Sequence, residues 1–291
     1  LSTGTSTNAT WHPANESGAD LHTHSLHSDG ANTPEALVTR AAELGIKILS
    51  LTDHDSVNGI EEAERTGKRL GVTIVPGIEL SASLETREVH ILGYFVDIAN
   101  KKLQQALTVF REDRLRRAER MVKKLNGLHA AVTMASVQEQ AGSASIGRPH
   151  VARALVAGGF VDSYYQAFVK YLGDNGPGYE PRALVTPEQQ VELIASAGGL
   201  SFIAHPGKSM TEKELATLIK AGIDGIEVIH PSHSPDLVKH YKEITNQYYL
   251  LQSGGSDYHG GLKGDDDQFG RFMIPAEAVQ KMRTFLPHPT A

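Results

Sequence analysis

Two histidines one residue apart, His22 and His24 in the string DLHTHSLHSDG, begin a series of side chains with metal-ligand chemistry. Asp29 follows in the same string, Asp53 and His54 occur in TDHD, and Glu79 in PGIEL. His90 lies in VHILGYFV, His205 in IAHP, and Asp257 with His259 in GGSDYHG. Neutral imidazole and carboxylate oxygen are the donors that zinc, manganese and iron(II) take in hydrolytic sites. On a strand, residues two apart face the same way, so His22 and His24 can share one ion. A carboxylate such as Glu79 can bridge two ions through its two oxygens. Two ions about 3.5–4 Å apart acidify a shared water and clamp a phosphoryl group during displacement.

For these residues to meet, the elements that carry them must converge. Short apolar runs alternate with helix-like segments from Asp20 onward. Residues 19–24, 47–51, 72–76, 89–96, 200–204, 225–229 and 248–251 read as strands. Helices are expected at 33–44, where Thr33 can cap, Pro34 suits the first turn and Gly45 follows the end. Others fall at 57–70, stopped by Gly71, and at 275–285. Two more, at 186–197 and 211–221, open with capping-box spacing (Thr186 and Gln189, Thr211 and Glu214). Strands interleaved with helices predict an α/β fold whose parallel sheet closes, or nearly closes, into a barrel. His22, His24, Asp53, His54, Glu79 and His205 then end strands, and the C-terminal strand ends of such folds form the active face. A single histidine at a strand end is more often a hydrogen-bonded structural residue than a ligand. A whole series on one face is not accounted for in that way.

Residues 100–185 lack strand-like runs. A long charged helix is expected over 101–126, with Leu103, Leu107, Phe110, Leu115, Met121, Val122 and Leu125 near helical spacing. Shorter helices around 148–157 and 163–171 and a loop over 173–181 follow. This block reads as a helical insertion (cap) domain on a barrel built from 19–99 and 186–291, with 1–18 as a flexible leader. Hydrophobic residues at 40% and charged residues at 21% of 291 are ordinary for a globular protein. The absence of cysteine excludes disulfides and thiolate-bound zinc, and a formal charge of −6 argues against a broad nucleic-acid-binding surface. No apolar run approaches the length of a membrane helix, and the leader does not resemble a secretory signal, so a cytoplasmic location is expected.

At these residues the sequence closely resembles the PHP (polymerase and histidinol phosphatase) family. The motifs are DLHTHS…SDG at 20–30, LTDHDS at 51–56, GIE at 77–79, the His90 strand, AHP at 204–206 and SDYH at 256–259. The resemblance implies a distorted (β/α)7 TIM-like barrel with two or three divalent ions, zinc, manganese or iron. Carried over by motif, it implies His22, His24, Glu79 and Asp257 around one ion, and Glu79, His90 and His205 around a second. Asp29, His54 and His259 would hold a third, although many members have a histidine where this chain has Asp29. Asp53 is implied to orient His54 or carry a proton, so Asp53, His54 and Asp257 are the expected catalytic residues.

The string IGRPHVARAL at 146–155 looks like the branch of the family that acts on nucleotide phosphates. Its members remove phosphate from 3',5'-nucleoside bisphosphates or trim short RNA from the 5' end. Arg148 offers a planar fork for phosphate, and His150 and His233 offer further donors. Arg111, Arg114, Arg116, Arg117 and Arg120 alternate with Glu112, Asp113 and Glu119 and read as a solvated helix face. Lys208, Arg271, His12, His129, His240 and His288 also read as solvated. The expected function is hydrolysis of nucleotide phosphomonoesters by metal-activated hydroxide, with a nucleotide or short RNA as substrate. Alternatives are a histidinol-phosphate phosphatase, a metal-dependent amidohydrolase, or a non-catalytic metal-binding accessory module. The filled ligand positions argue against the last.

Overall fold

The computed structural model describes residues 18–84, 87–182 and 185–286; the leader expected over 1–18, Gly18 excepted, and His12 and His288 lie outside them. The first half of the barrel is β1 (Gly18–Asp20), α1 (Pro34–Glu43), β2 (Ile48–Leu51), α2 (Ile60–Leu70), β3 (Thr73–Leu84) and β4 (Arg87–Tyr94). Thr33 caps α1 by accepting from the Ala36 N–H at 3.1 Å, and Gly71 ends α2 in the left-handed conformation. The second half is α7 (Pro187–Ser196), β5 (Leu200–Ile203), α8 (Glu212–Lys220), β6 (Gly225–Ile229), α9 (Pro235–Gln247), β7 (Leu251–Gly254), β8 (Ile274–Pro275) and α10 (Ala276–Arg283). Both expected capping boxes form, at Thr186 with Gln189 and at Thr211 with Glu214.

The sheet order is β7-β6-β5-β4-β3-β2-β1-β8. β1–β2–β3 and β5–β6–β7 are parallel, but β4 runs antiparallel to both neighbours. The all-parallel expectation fails there because β3 returns directly into β4 as a hairpin, with no crossover helix to reset direction. β3 also runs to Leu84 rather than stopping at Pro76, so Glu79 lies within a strand and not at its end. Beyond β7 the sheet turns back on itself: the Leu21 N–H donates to the Gly254 carbonyl at 3.0 Å, and Thr23 bridges Tyr258 in parallel. These contacts nearly close the barrel. The eighth strand, β8, pairs antiparallel with β1 and has only two residues, too short to register as a period in the sequence.

Two further boundaries moved. α9 was not expected, although Ser234 caps it, Pro235 sits in its first turn and Asp236 follows. The last parallel strand starts at Leu251 instead of Tyr248, because Tyr248 and Tyr249 are exposed residues in the link from α9.

Between β4 and α7 the chain forms α3 (Lys101–Gly127), α4 (Met134–Ala141), α5 (Arg148–Ala157), α6 (Tyr164–Ala167) and a π-helical turn (Phe168–Leu172). Leu103 and Leu107 at the start of α3 pack in the barrel's outer core with Ile194 and Leu80. Farther along, Met121 and Leu125 pack with Val137, Val151, Leu155 and Leu172 in a separate cluster. α3 therefore packs against both the barrel and the core of the helical segment. Among the described residues, no helix is long and apolar enough to cross a membrane.

Gly255 allows the closing seam to approach His22. A Cβ at position 255 would lie 2.4 Å from the His22 backbone nitrogen and Cβ. Gly255→Ala should destabilise the fold by about 1–3 kcal/mol through overpacking and displace His22 as well. Thermal unfolding and metal content measured on the same sample should both fall.

Candidate metal centre

Glu79 on β3 is 1% exposed, and its two carboxylate oxygens are surrounded by imidazole nitrogens. Oε2 faces His22 Nε2 and His24 Nε2 at 3.3 Å each and His54 Nδ1 at 3.2 Å. Oε1 faces His90 Nδ1 at 2.8 Å and His205 Nε2 at 3.0 Å. Asp257 Oδ1 completes one side, 3.4 Å from His22 Nε2 and 3.1 Å from His24 Nε2. On another side Asp29 Oδ1 lies 3.3 Å from His259 Nε2 and 3.8 Å from His24 Nδ1. The sequence-derived ligand candidates thus meet in space, although Glu79 and His90 reach the site from a hairpin and not from strand ends.

Four groups of these donors are close enough to hold an ion, with donor atoms within 4.8 Å of one another. They are His22–His24–Asp257, His22–Glu79–His205, His54–Glu79–His90 and His24–Asp29–His54–His259. The grouping differs in detail from the family-derived one: His205 clusters with His22, and His90 with His54.

The donor set suits divalent ions better than it suits protons. Burial pushes the Glu79 carboxyl up, but His54, His90 and His22 outweigh it and hold the group well below the usual range. Burial opposes charge on His24 and His90, yet the neighbouring carboxylates raise both to about 9. His54 goes the other way: burial holds it well down, and His24 and His90 add to the effect against the pull of Glu79 and Asp29. His24 Nε2 and His54 Nδ1 are buried without a hydrogen-bond partner, though carboxylate oxygens lie close by. Buried polar atoms aimed at a common point without partners fit a cation between them.

A second layer fixes the ring orientations. His22 Nδ1 lies 2.9 Å from Glu227 Oε1 on β6, and the other Glu227 oxygen accepts from the His205 N–H at 2.7 Å. His259 Nδ1 donates to the Asp257 carbonyl at 2.6 Å, which leaves Nε2 as the lone-pair nitrogen beside Asp29 Oδ1 and the Lys263 ammonium. The Asp53 carboxylate accepts from the Ser25 N–H (2.8 Å) and from the Ser25 and Ser28 hydroxyls (2.6 Å each). With both oxygens engaged and no face on the cavity, Asp53 holds the 25–28 loop and is not placed to carry a proton. His205 and Asp257 adopt left-handed backbones (φ +28° and +50°), strain that the surrounding contacts sustain.

Above the donors opens a cavity of about 570 Å³. Asp29, His54 and His90 line it from the barrel, and Arg114, Arg117, Arg148 and Lys263 supply cations. Arg114 and Arg117 are only 6% and 4% exposed, so the solvated helix face expected for this cluster is wrong for both. Three residues apart, they share the face of α3 that turns inward, whereas Arg116 and Arg120 are exposed. Arg114 and Arg182 both pair with buried Asp55, and Arg117 reaches Glu88 at 3.4 Å.

The substrate-binding candidates divide. Arg148 lines the cavity at the start of α5, pairs with Asp174 at 2.7 Å and lies over the Tyr179 ring. His150 is buried: Nδ1 accepts from the Gly147 N–H at 2.9 Å, and burial, then Arg153, lower its pKa to about 4. Gly147, Arg148 and Pro149 line the cavity, and His150 does not. His233 is not available as a phosphate donor, because Nδ1 bonds the Val228 carbonyl (2.9 Å) and Nε2 accepts from the Gly207 N–H (3.0 Å). Lys208, Arg271, His129 and His240 are exposed as expected. Glu227, Asp55, Arg182, Glu88 and Lys263 join the site without a motif that marks them in the sequence. A glutamate within the apolar string GIEVI was the one available signal for Glu227; Lys263 reads as an ordinary loop cation until its ammonium is seen 2.8 Å from His259 Nε2.

Comparison with known proteins agrees with this geometry. Residues 20–190 match the PHP domain family model. A 3',5'-nucleoside bisphosphate phosphatase of Chromobacterium violaceum is 36% identical over 254 residues, covering 85% of this chain and 89% of the relative. The 5'-3' exoribonuclease Rnm of Escherichia coli is 34% identical over 249 residues, covering 82% and 84%. A solved structure from Bifidobacterium adolescentis, named as a metal-dependent phosphoesterase, superposes with a TM-score of 0.87 at 30% identity, covering 95% of this chain and 98% of that one.

The double variant His22→Ala/His24→Ala should lose bound metal and turnover together, read by elemental analysis and phosphate release. Burial raises the Asp55 carboxyl, but Arg114 and Arg182 outweigh it and hold it at about 2. A depressed carboxyl stabilises the fold above its unfolded pKa of about 3.9, and that contribution fades as pH falls toward about 2. Urea unfolding of metal-stripped protein should therefore show a steeper loss below about pH 4 in the wild type than in Asp55→Asn. Asp55→Ala, which strands two buried arginines, should cost about 3–5 kcal/mol.

Proposed function

The chain belongs to the PHP domain family, and on that premise we propose that it is a metal-dependent phosphoesterase acting on phosphomonoesters of nucleotides. The substrate would be a 3',5'-nucleoside bisphosphate or a short 5'-phosphorylated oligonucleotide. One observation carries this reading: a single cavity of about 570 Å³ joins metal-donor residues to Arg114, Arg117, Arg148 and Lys263. That volume lies in the range of about 300–1,000 Å³ usual for small-ligand sites. Four cations beside a cluster of donors suit a dianionic group better than a neutral amide, which favours phosphoester over amidohydrolase chemistry.

His22, His24, Glu79, His90, His205 and Asp257 would hold two ions, with Asp29, His54 and His259 available for a third. Zinc, manganese and iron all accept this donor set. Bound, the ions would acidify a water and neutralise phosphate oxygens. The chain's own groups do the rest. Arg148, at the start of α5 and on the cavity wall, offers a cationic seat for a phosphate. Arg117 adds charge deeper in the cavity, and Glu227 and Asp53 keep the donor rings and the 25–28 loop in register. The helical segment 100–185, read as a cap domain, would form the wall that selects the leaving group. A cytoplasmic location suits a chain without cysteine.

The test is phosphate release from 3',5'-adenosine bisphosphate, short 5'-phosphorylated RNA and histidinol phosphate, assayed side by side with manganese. A nucleotide substrate should be preferred, and Arg148→Ala should raise its KM by about tenfold or more, the cost of one bidentate charge-assisted contact. Preference for histidinol phosphate would overturn the nucleotide assignment.

A further inference from the structure

Three aromatic residues on the same cavity have no part in the chemistry described so far. Tyr164 and Tyr165 lie in α6, and Phe168 opens the π-helical turn that follows. All three line the cavity together with Asp29, His54, Arg117 and Arg148. Tyr164 and Phe168 pack with ring centroids 5.1 Å apart at 50°, a tilted pair that fixes both rings. Tyr165 is 76% exposed. The same short stretch sends Ala167, Tyr171 and Leu172 into the core of the helical segment, so its backbone is anchored while Tyr165 stays free. The wider π turn changes which positions face inward within a few residues.

We propose that Tyr165, on the same cavity wall as Tyr164 and Phe168, is a nucleobase-stacking shelf, and that it rather than the phosphate site selects nucleotides over other phosphomonoesters. This inference rests on the reading that the cavity takes a phosphoester. A lone exposed tyrosine needs no explanation. An exposed ring on the rim of a cavity with four cations offers a π-face beside an anion seat, and a nucleotide presents that combination of planar ring and phosphate. Every base has a π-face, so the shelf would accept adenine and other bases alike, consistent with stacking instead of hydrogen-bond readout.

The experiment compares 3',5'-adenosine bisphosphate with its abasic counterpart, in which the base is replaced by hydrogen. Affinity is measured by calorimetry on metal-stripped protein and as KM on manganese-loaded protein. The wild type should favour the nucleotide, and that advantage should shrink by about tenfold in Tyr165→Ala, the scale of one base on one aromatic ring. Tyr165→Phe should retain it, since the ring and not the hydroxyl does the stacking. An equal advantage in wild type and Tyr165→Ala, or none in the wild type, overturns the shelf. The two readings fail separately: base-dependent binding through Tyr165 without phosphate release would remove the phosphatase and keep the shelf, whereas phosphate release indifferent to the base would do the reverse.

Discussion

One carboxylate buried among five imidazoles is the constraint from which the rest of the site follows. Protons alone do not satisfy Glu79 and its neighbours. Each added proton on one ring penalises the next, and His54 is already driven well down while His24 and His90 are driven up. A divalent cation resolves this by placing positive charge between donor atoms instead of on them. The price is a fold that must hold these groups together without the ion's help, since unpaired polar atoms in a dry interior are costly.

The fold manages this through a layer of fixed partners. Glu227 binds a ring nitrogen of His22 and the backbone of His205, two residues that follow the distant strands β1 and β5. Asp53 gathers the loop that carries Asp29, and Asp265 accepts from the His259 and Gly261 N–H groups. These carboxylates do not face the cavity. Glu227 thereby leaves His22 Nε2 pointing inward, while Asp53 and Asp265 fix the backbone that carries Asp29 and His259.

The antiparallel β3–β4 hairpin adds what an all-parallel barrel lacks. It lifts Glu79 and His90 onto paired strands, where backbone hydrogen bonds fix their positions more tightly than loops would. It also presents Glu88 to Arg117 and Arg182, so the helical segment is tied to the barrel by ion pairs beside the cavity. Asp55, between Arg114 and Arg182, makes a second such tie. Because these groups are buried or half-buried, their geometry is coupled to the cavity's shape, and the helical wall and the metal donors are set as one unit.

Much of this was legible in the sequence. Helix caps at Thr33, Thr186 and Thr211 depend on residues three apart, and the donors in HTH, TDHD and SDYH depend on local strings, so short-range chemistry exposed them. The donor identities also follow from residue type, because imidazole and carboxylate have few other reasons to accumulate at one face. What local patterns could not express is direction and burial. A hairpin and a crossover have the same apolar runs, so the sequence pattern makes β4 parallel and Glu79 a strand end. Arg114 and Arg117 look like any charged helix face until tertiary packing turns that face inward. His233 looks like a donor until the backbone takes both of its nitrogens. Sequence alone determined which groups could bind metal, because that depends on the chemistry of each side chain. Only the tertiary structure decided which charges are buried, which rings are free and which walls enclose the cavity, because those depend on neighbours far away along the chain.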